Sequence, residues 1–210
     1  MEASRRHCRF IWSGRLTQHP SGNLVIHAGR LWDGTSPEMK ENVDIIIHRN
    51  RIVEIKPHMH PHIGKFLDAS DLTVIPGLWD AHIHQELFQP FLGSRQGRQL
   101  LSFGITSTMS MGDYAYRAIE DRESIKSGTR LAPRFFASSE LIEGSRVYYS
   151  NMRPTTNMKA LKRELTRAEA LDVDLLKTYV RLPYDHQAYV INAAHNMGLP
   201  AFSHYFYPPM

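Results

Sequence analysis

Val74-Ile75-Pro76-Gly77-Leu78-Trp79-Asp80-Ala81-His82-Ile83-His84 is an apolar run that ends in two histidines two residues apart. In an extended strand residues i and i+2 point to one face. His82 and His84 can therefore present two imidazoles to one metal ion, which is how a strand supplies a chelating pair. Asp80 falls on that same face, where a carboxylate can orient an imidazole from behind. Pro76-Gly77 gives a tight entry into the strand. An isolated HxH is also a common structural or surface pair, and Asp80 reads equally well as a turn-facing carboxylate.

Beyond this stretch the chain has a strand-then-helix rhythm. Strands are expected over Val74–Ile83, Ile105–Met109, Pro133–Ala137, Leu175–Val180 and Pro200–Ser203, with four helices between them. One helix spans about Asn157–Leu171: Met158, Leu161, Leu165 and Ala168 recur at three- and four-residue steps, and Asn157 is available as its cap. Another runs Tyr184–Met197, after Pro183 and up to Gly198. Repeated βα units argue for a parallel sheet, closed as a barrel or doubly wound. Before residue 74 the strands are short: Asn23–Ala28, Val43–His48 and Arg51–Ile55, the last two joined as a hairpin through Asn50. Gly29, Gly34 and Pro37 suit a loop between the first two. Three segments are thus expected: a tail or linker over 1–21, a small β portion over 22–73, and the βα portion over 74–210.

Lys177 lies in Leu175-Leu176-Lys177-Thr178-Tyr179, near the end of a strand that otherwise reads as buried. A buried lysine loses its charge more readily, and the neutral amine can take up carbon dioxide as a carbamate, an anionic oxygen ligand. The same residue reads as a lysine whose head reaches solvent at a strand end. Leu199-Pro-Ala-Phe-Ser-His204 is another short apolar strand ending in His. Sites of βα barrels form at the C-terminal ends of the strands, where His82, His84, Lys177 and His204 would converge. Tyr179 and Arg181 fall just past Lys177, placed to contact a substrate carboxylate, or to form a solvated loop.

The segment Pro76-Gly77-Leu78-Trp79-Asp80-Ala81-His82-Ile83-His84 resembles the PG-[LIF]-x-D-x-H-x-H signature of the amidohydrolase superfamily, in the manner of its imidazolonepropionase and dipeptidase branches. VIHAGRLWDG followed by VDIIIHRNRIVEI is similar to the small β-sandwich carried ahead of the barrel in that family, so the resemblance covers about residues 22 to 207. It implies an α/β chain forming a truncated (β/α)8 TIM-type barrel of about five strands, preceded by a small N-terminal β-sandwich unit. It implies one or two divalent ions, zinc foremost, held by His82, His84, Lys177 and His204, with Lys177 at the strand-4 position often occupied by a carbamylated lysine. It further implies hydrolysis of amide or cyclic amide bonds in a small-molecule or peptide-like substrate. A complete barrel of this type needs about 250 residues. The remaining metal-binding His and the general-base Asp of the family are therefore expected beyond Met210, and the 210-residue chain is expected to be inactive alone and to self-associate through open strand edges. A non-catalytic piece with partial metal binding, or a ring deaminase of the same fold, are the other readings.

Composition bounds the rest. With 42% hydrophobic residues the chain can bury a substantial core. Its 25 Lys and Arg against 21 Asp and Glu are scattered, which argues against a nucleic-acid partner. No run approaches the length of a membrane span and no signal peptide is evident, so a cytoplasmic protein without membrane partners is expected, with a homo-oligomer open. The single Cys8 cannot form an internal disulfide. The tract His58-Met-His60-Pro-His62 is read as a loop carrying no assigned role. No GxSxG elbow, phosphate-cradling loop or paired CxxC occurs.

Overall fold

The computed structural model describes residues 23–60, 64–84 and 93–204. The segment 1–21, His62 and the C-terminal residues past His204 lie outside them. The chain divides into two compact units, with the boundary between Gly77 and Leu78.

The first unit is a four-stranded mixed sheet built from β1 (Asn23–Leu31), β2 (Lys40–His48), β3 (Arg51–Pro57) and β4 (Lys65–Val74) in the order β3-β2-β1-β4. β2 runs antiparallel to β1 and β3, and β4 runs parallel to β1. The hairpin pairs His48 with Arg51, and the positive φ falls on Arg49 (56°), one residue before the expected Asn50. Ala28, Leu31, Val43 and Ile45 form the small core, joined by Ile26, Ile47 and Val74. Gly29, expected in a loop, is inside β1. A Cβ there would lie 1.8 Å from the Ser70 carbonyl oxygen of β4, so the close approach of the two strands requires glycine. The first histidine of the 58–62 tract is anchored: Asp44, 1% exposed, hydrogen-bonds His58 Nδ1 at 2.7 Å, and the His58 ring stacks on His27 with centroids 3.6 Å apart.

The expected strand Val74–Ile83 is two strands. β4 ends at Val74, and β5 (Leu78–Ile83) begins a new sheet in the second unit. Pro76 in the break has no N–H to offer a ladder, which ends one pairing before the next starts.

The second unit alternates strands and helices: β5, α1 (Gly93–Ser102), β6 (Ile105–Ser110), α2 (Ala115–Lys126), β7 (Arg134–Phe136), β8 (Leu141–Glu143), β9 (Met152–Pro154), α3 (Met158–Ala170), β10 (Leu176–Thr178), α4 (Tyr184–Met197) and β11 (Ala201–Ser203). Its strands form two parallel sheets, β5-β6-β7 and β11-β10-β8-β9. The sheets meet at a narrow seam. Ser138 and Leu175 make an isolated parallel bridge, and the Asp174 N–H donates to the Ala137 carbonyl at 2.8 Å. At the same place a side chain substitutes for backbone: Asp174 Oδ2 accepts from the Ala137 N–H at 2.8 Å and from Arg122 at 3.0 Å. Ser138 is fully buried there.

Residue alternation sorts the strands. Leu176 (0% exposed) faces α3 and α4, packing with Ile142, Leu161, Leu165, Val190 and Ala194. Ile83 faces α2, with Ala118, Phe135 and Ala137. The neighbours of these residues in sequence, Lys177, His82 and His84, are left for the opposite face. Both expected helices are present. α4 covers Tyr184–Met197 and stops at Gly198 in the left-handed region, φ 73°. α3 is capped by Asn157, whose side chain accepts from the Ala160 N–H at 2.9 Å. Asn157→Ala is expected to lower stability by about 1 kcal/mol, read as a shift of the urea midpoint at constant slope. An unchanged midpoint would mean that the cap bond adds nothing beyond hydration.

Candidate metal centre

β5 is an edge strand of its sheet, with Leu78 and Trp79 about half exposed and Ile83 buried. Its last residues bring His82 and His84 together, ring centroids 5.3 Å apart. His204 follows β11, aligned by its N–H donating to the Thr178 carbonyl at 3.4 Å, and its ring lies 5.3 Å from that of His82. Lys177, on β10, is paired in register with Phe202 and is 2% exposed. The three imidazoles and the lysine thus come from β5, β10 and β11 to one end of the second unit.

The electrostatics follow from burial. Loss of water pushes the Lys177 ammonium below the usual lysine value. Among the described residues it has no ion-pair partner. Loss of water, then the repulsion of Lys177 and of neighbouring imidazoles, holds His82 and His204 below the ordinary histidine value. Neutral imidazoles and a neutral amine are the protonation states that metal coordination and carbamate formation require. Imidazole and amine nitrogens are donors of the kind that divalent transition-metal ions take. Among the described residues no three His, Cys, Asp or Glu side chains are already drawn together as a ready-made metal cluster.

The other expected residues are placed differently. Asp80 Oδ1 accepts from the His82 backbone N–H at 3.1 Å, so it braces the strand end and not a ring. Tyr179 packs edge-on to His204 at 4.9 Å. Arg181 is exposed, and its backbone N–H donates to the buried Glu143 at 2.8 Å. The segment after β8 had drawn no attention in the sequence. It carries Tyr149, whose ring lies 6.1 Å from Tyr179, and Asn151, which reaches the same carbonyl as His84. No spacing pattern marks these residues, because their roles arise only where three loops meet.

With this geometry in place, the chain's fold is that of amidohydrolase-type enzymes. It matches a Xaa-Pro dipeptidase with methionine in its active site, at TM-score 0.75 and 22% identity over 87% of this chain and 56% of that one. It also matches a Bifidobacterium longum protein assigned as a prolidase, at TM-score 0.78 and 19% identity over 90% and 50%, and an amidohydrolase at TM-score 0.74 and 17% over 88% and 56%. In sequence, dihydropyrimidinase 2 of Caenorhabditis briggsae is 45% identical over 51 residues, 24% of this chain and 10% of that protein. No protein-family profile matches the chain. The chain spans about half the length of these solved structures. No helix among the described residues is long and apolar enough to cross a membrane.

Proposed function

We propose that this chain contributes the strand-end metal site of a hydrolase acting on amide or cyclic amide bonds. The observation that carries the reading is the His82 ring, 5.3 Å from both His84 and His204, beside a buried lysine that has no counter-ion among the described residues. Similarity to a Xaa-Pro dipeptidase and to a dihydropyrimidinase supports it. On this reading the second unit is part of a (β/α)8 barrel, β5, β6, β7, β10 and β11 being successive barrel strands, and the N-terminal sheet is one layer of a small sandwich.

His82, His84, Lys177 and His204 would hold one or two divalent ions, with zinc the best match to imidazole donors. A divalent ion supplies Lewis acidity and lowers the pKa of a coordinated water. The chain's own residues prepare the place. Burial pushes the Lys177 ammonium below the usual lysine value, which favours the amine form that can take up a carbamate, and a carbamate adds the oxygen donor that a set of imidazoles lacks. Tyr179 and Tyr149 form an aromatic wall beside His204, suited to the apolar or ring portion of a small peptide-like amide.

The test is zinc binding by calorimetry. His82→Ala and His204→Ala are each expected to lower zinc affinity by at least about tenfold, the lower end of what loss of a mere supporting residue causes. Equal zinc binding by the parent and by the double variant would remove the reading.

A further inference from the structure

We propose that Asn151, acting through the carbonyl of Gly112, is a positioning residue that fixes the tautomer and aim of His84; this rests on the reading of His84 as a metal ligand. The Gly112 carbonyl lies 3.0 Å from His84 Nδ1. A carbonyl oxygen can only accept, so Nδ1 carries the proton and Nε2 keeps the lone pair that a metal needs. The same oxygen accepts a second bond, from Asn151 Nδ2 at 3.2 Å. Two donors from separate segments converge on one peptide group, and that group is itself held. Gly112 has φ 113°, and a Cβ on it would lie 2.4 Å from Leu141 Cγ, so any other residue there would be strained and would force the Leu141 side chain to move.

Asn151 is 1% exposed, and its Oδ1 has no hydrogen-bond partner among the described residues. A buried amide that leaves its oxygen unmet is out of place if the side chain only fills space, since an apolar residue would do that without the penalty. Its one bond goes to the carbonyl that orients His84. The amide is also delivered by a tied loop: Tyr114 and Ser150 hydroxyls are 2.9 Å apart, and the Tyr148 and Tyr149 N–H groups donate to Met152 Sδ at 3.1 and 3.3 Å. The loop therefore connects the aromatic wall to the HxH strand.

The experiment reads the His84 ring nitrogens by NMR in metal-free protein, and zinc affinity by calorimetry, in the parent, Asn151→Ala, Asn151→Asp and Tyr114→Phe. The parent should show His84 as a single Nδ1–H form with an NOE from that proton to the Asn151 side-chain amide. Asn151→Ala and Asn151→Asp should mix the two tautomers and weaken zinc about 10- to 100-fold. Tyr114→Phe, which removes the hydroxyl tie to Ser150 but keeps the Asn151 amide and the Met152 contacts, should change both readouts clearly less than the Asn151 variants do. An unaltered tautomer in the Asn151 variants, or an equal change in Tyr114→Phe, overturns the proposal. Should the Asn151 variants fail to fold, absence of the Nδ1–H signal or its NOE in the parent overturns it alone. If the parent binds no zinc, the metal reading falls while the tautomer measurement still decides the role of Asn151.

Discussion

Replacing Arg167 with alanine is expected to destabilise the protein by about 3–5 kcal/mol, the range for removing one partner of a buried ion pair. Arg167 on α3 grips Glu140 with both arms of its guanidinium, at 2.7 and 3.1 Å, and Arg153 adds a third bond at 3.3 Å. Glu140 is 4% exposed, so without Arg167 a carboxylate would stay buried with only a half-exposed arginine near it. Burial alone would raise the Glu140 pKa, but the hydrogen bond and charge of Arg167, helped by Arg153, outweigh it and hold the carboxyl below the usual glutamate value. The pair therefore adds its full stability above the unfolded glutamate pKa of about 4.3. That contribution fades as the pH falls through the lower folded value. Urea unfolding of parent and variant from neutral pH downward measures both effects, and the difference between them should shrink in acid. Arg167→Lys keeps the charge but loses the fork, and should recover only part of the stability. A loss below about 1 kcal/mol for Arg167→Ala is the behaviour of a solvent-screened pair, and would refute the burial argument.

Leu161→Ala should be of similar size, about 2–5 kcal/mol. Leu161 is 0% exposed and lies in the cluster where α3 meets Ile142, Leu176 and Val190. Three different elements border it, so the space left by a truncated side chain cannot close by moving one helix. Leu131 has the same chemistry but is 61% exposed, and Leu131→Ala should change stability by less than about 0.5 kcal/mol. Thermal melts of the two variants separate packing from composition. Equal effects would show that the α3 face is not the core of the unit.

The parts legible in the sequence were those with a strong local signal. Apolar runs marked β6, β7, β10 and β11, and punctuation by Asn157, Pro183 and Gly198 marked α3 and α4. β4 escaped because Lys65–Val74 carries Asp68, Ser70 and Asp71 and buries only Ala69, so it has neither a run nor a clean alternation. β8 (Leu-Ile-Glu) and β9 (Met-Arg-Pro) are short and hold at most two apolar residues in a row, too few to stand out as an apolar run. α2 buries alanines and Asp121, a face that does not read as apolar. In the site, the HxH pair, Lys177 and His204 announce themselves by chemistry at strand ends. Gly112 and Asn151 do not, since a carbonyl acceptor and a buried amide acquire meaning only from the third residue they meet. Arg181 shows the converse: its charge suggested a substrate contact, yet what the fold uses is its backbone N–H.

The seam at Asp174 bears on how the protein breathes. Within the β5-β6-β7 sheet and between β10 and β11 neighbouring strands pair at several positions, whereas β7 and β10 are joined by one bridge, the Asp174–Ala137 bond and a carboxylate held by Arg122. Sub-global opening starts where so few bonds must part, so amide exchange at Ala137 should precede exchange inside the flanking sheets. The candidate donors lie on opposite banks of that seam, His82 on β5 and His84 just after it, Lys177 on β10 and His204 just after β11. Anything that holds both banks at once binds the closed form alone, and so draws on mass action to slow the opening. This sparse joint is thus also one that a ligand at the strand ends would fasten.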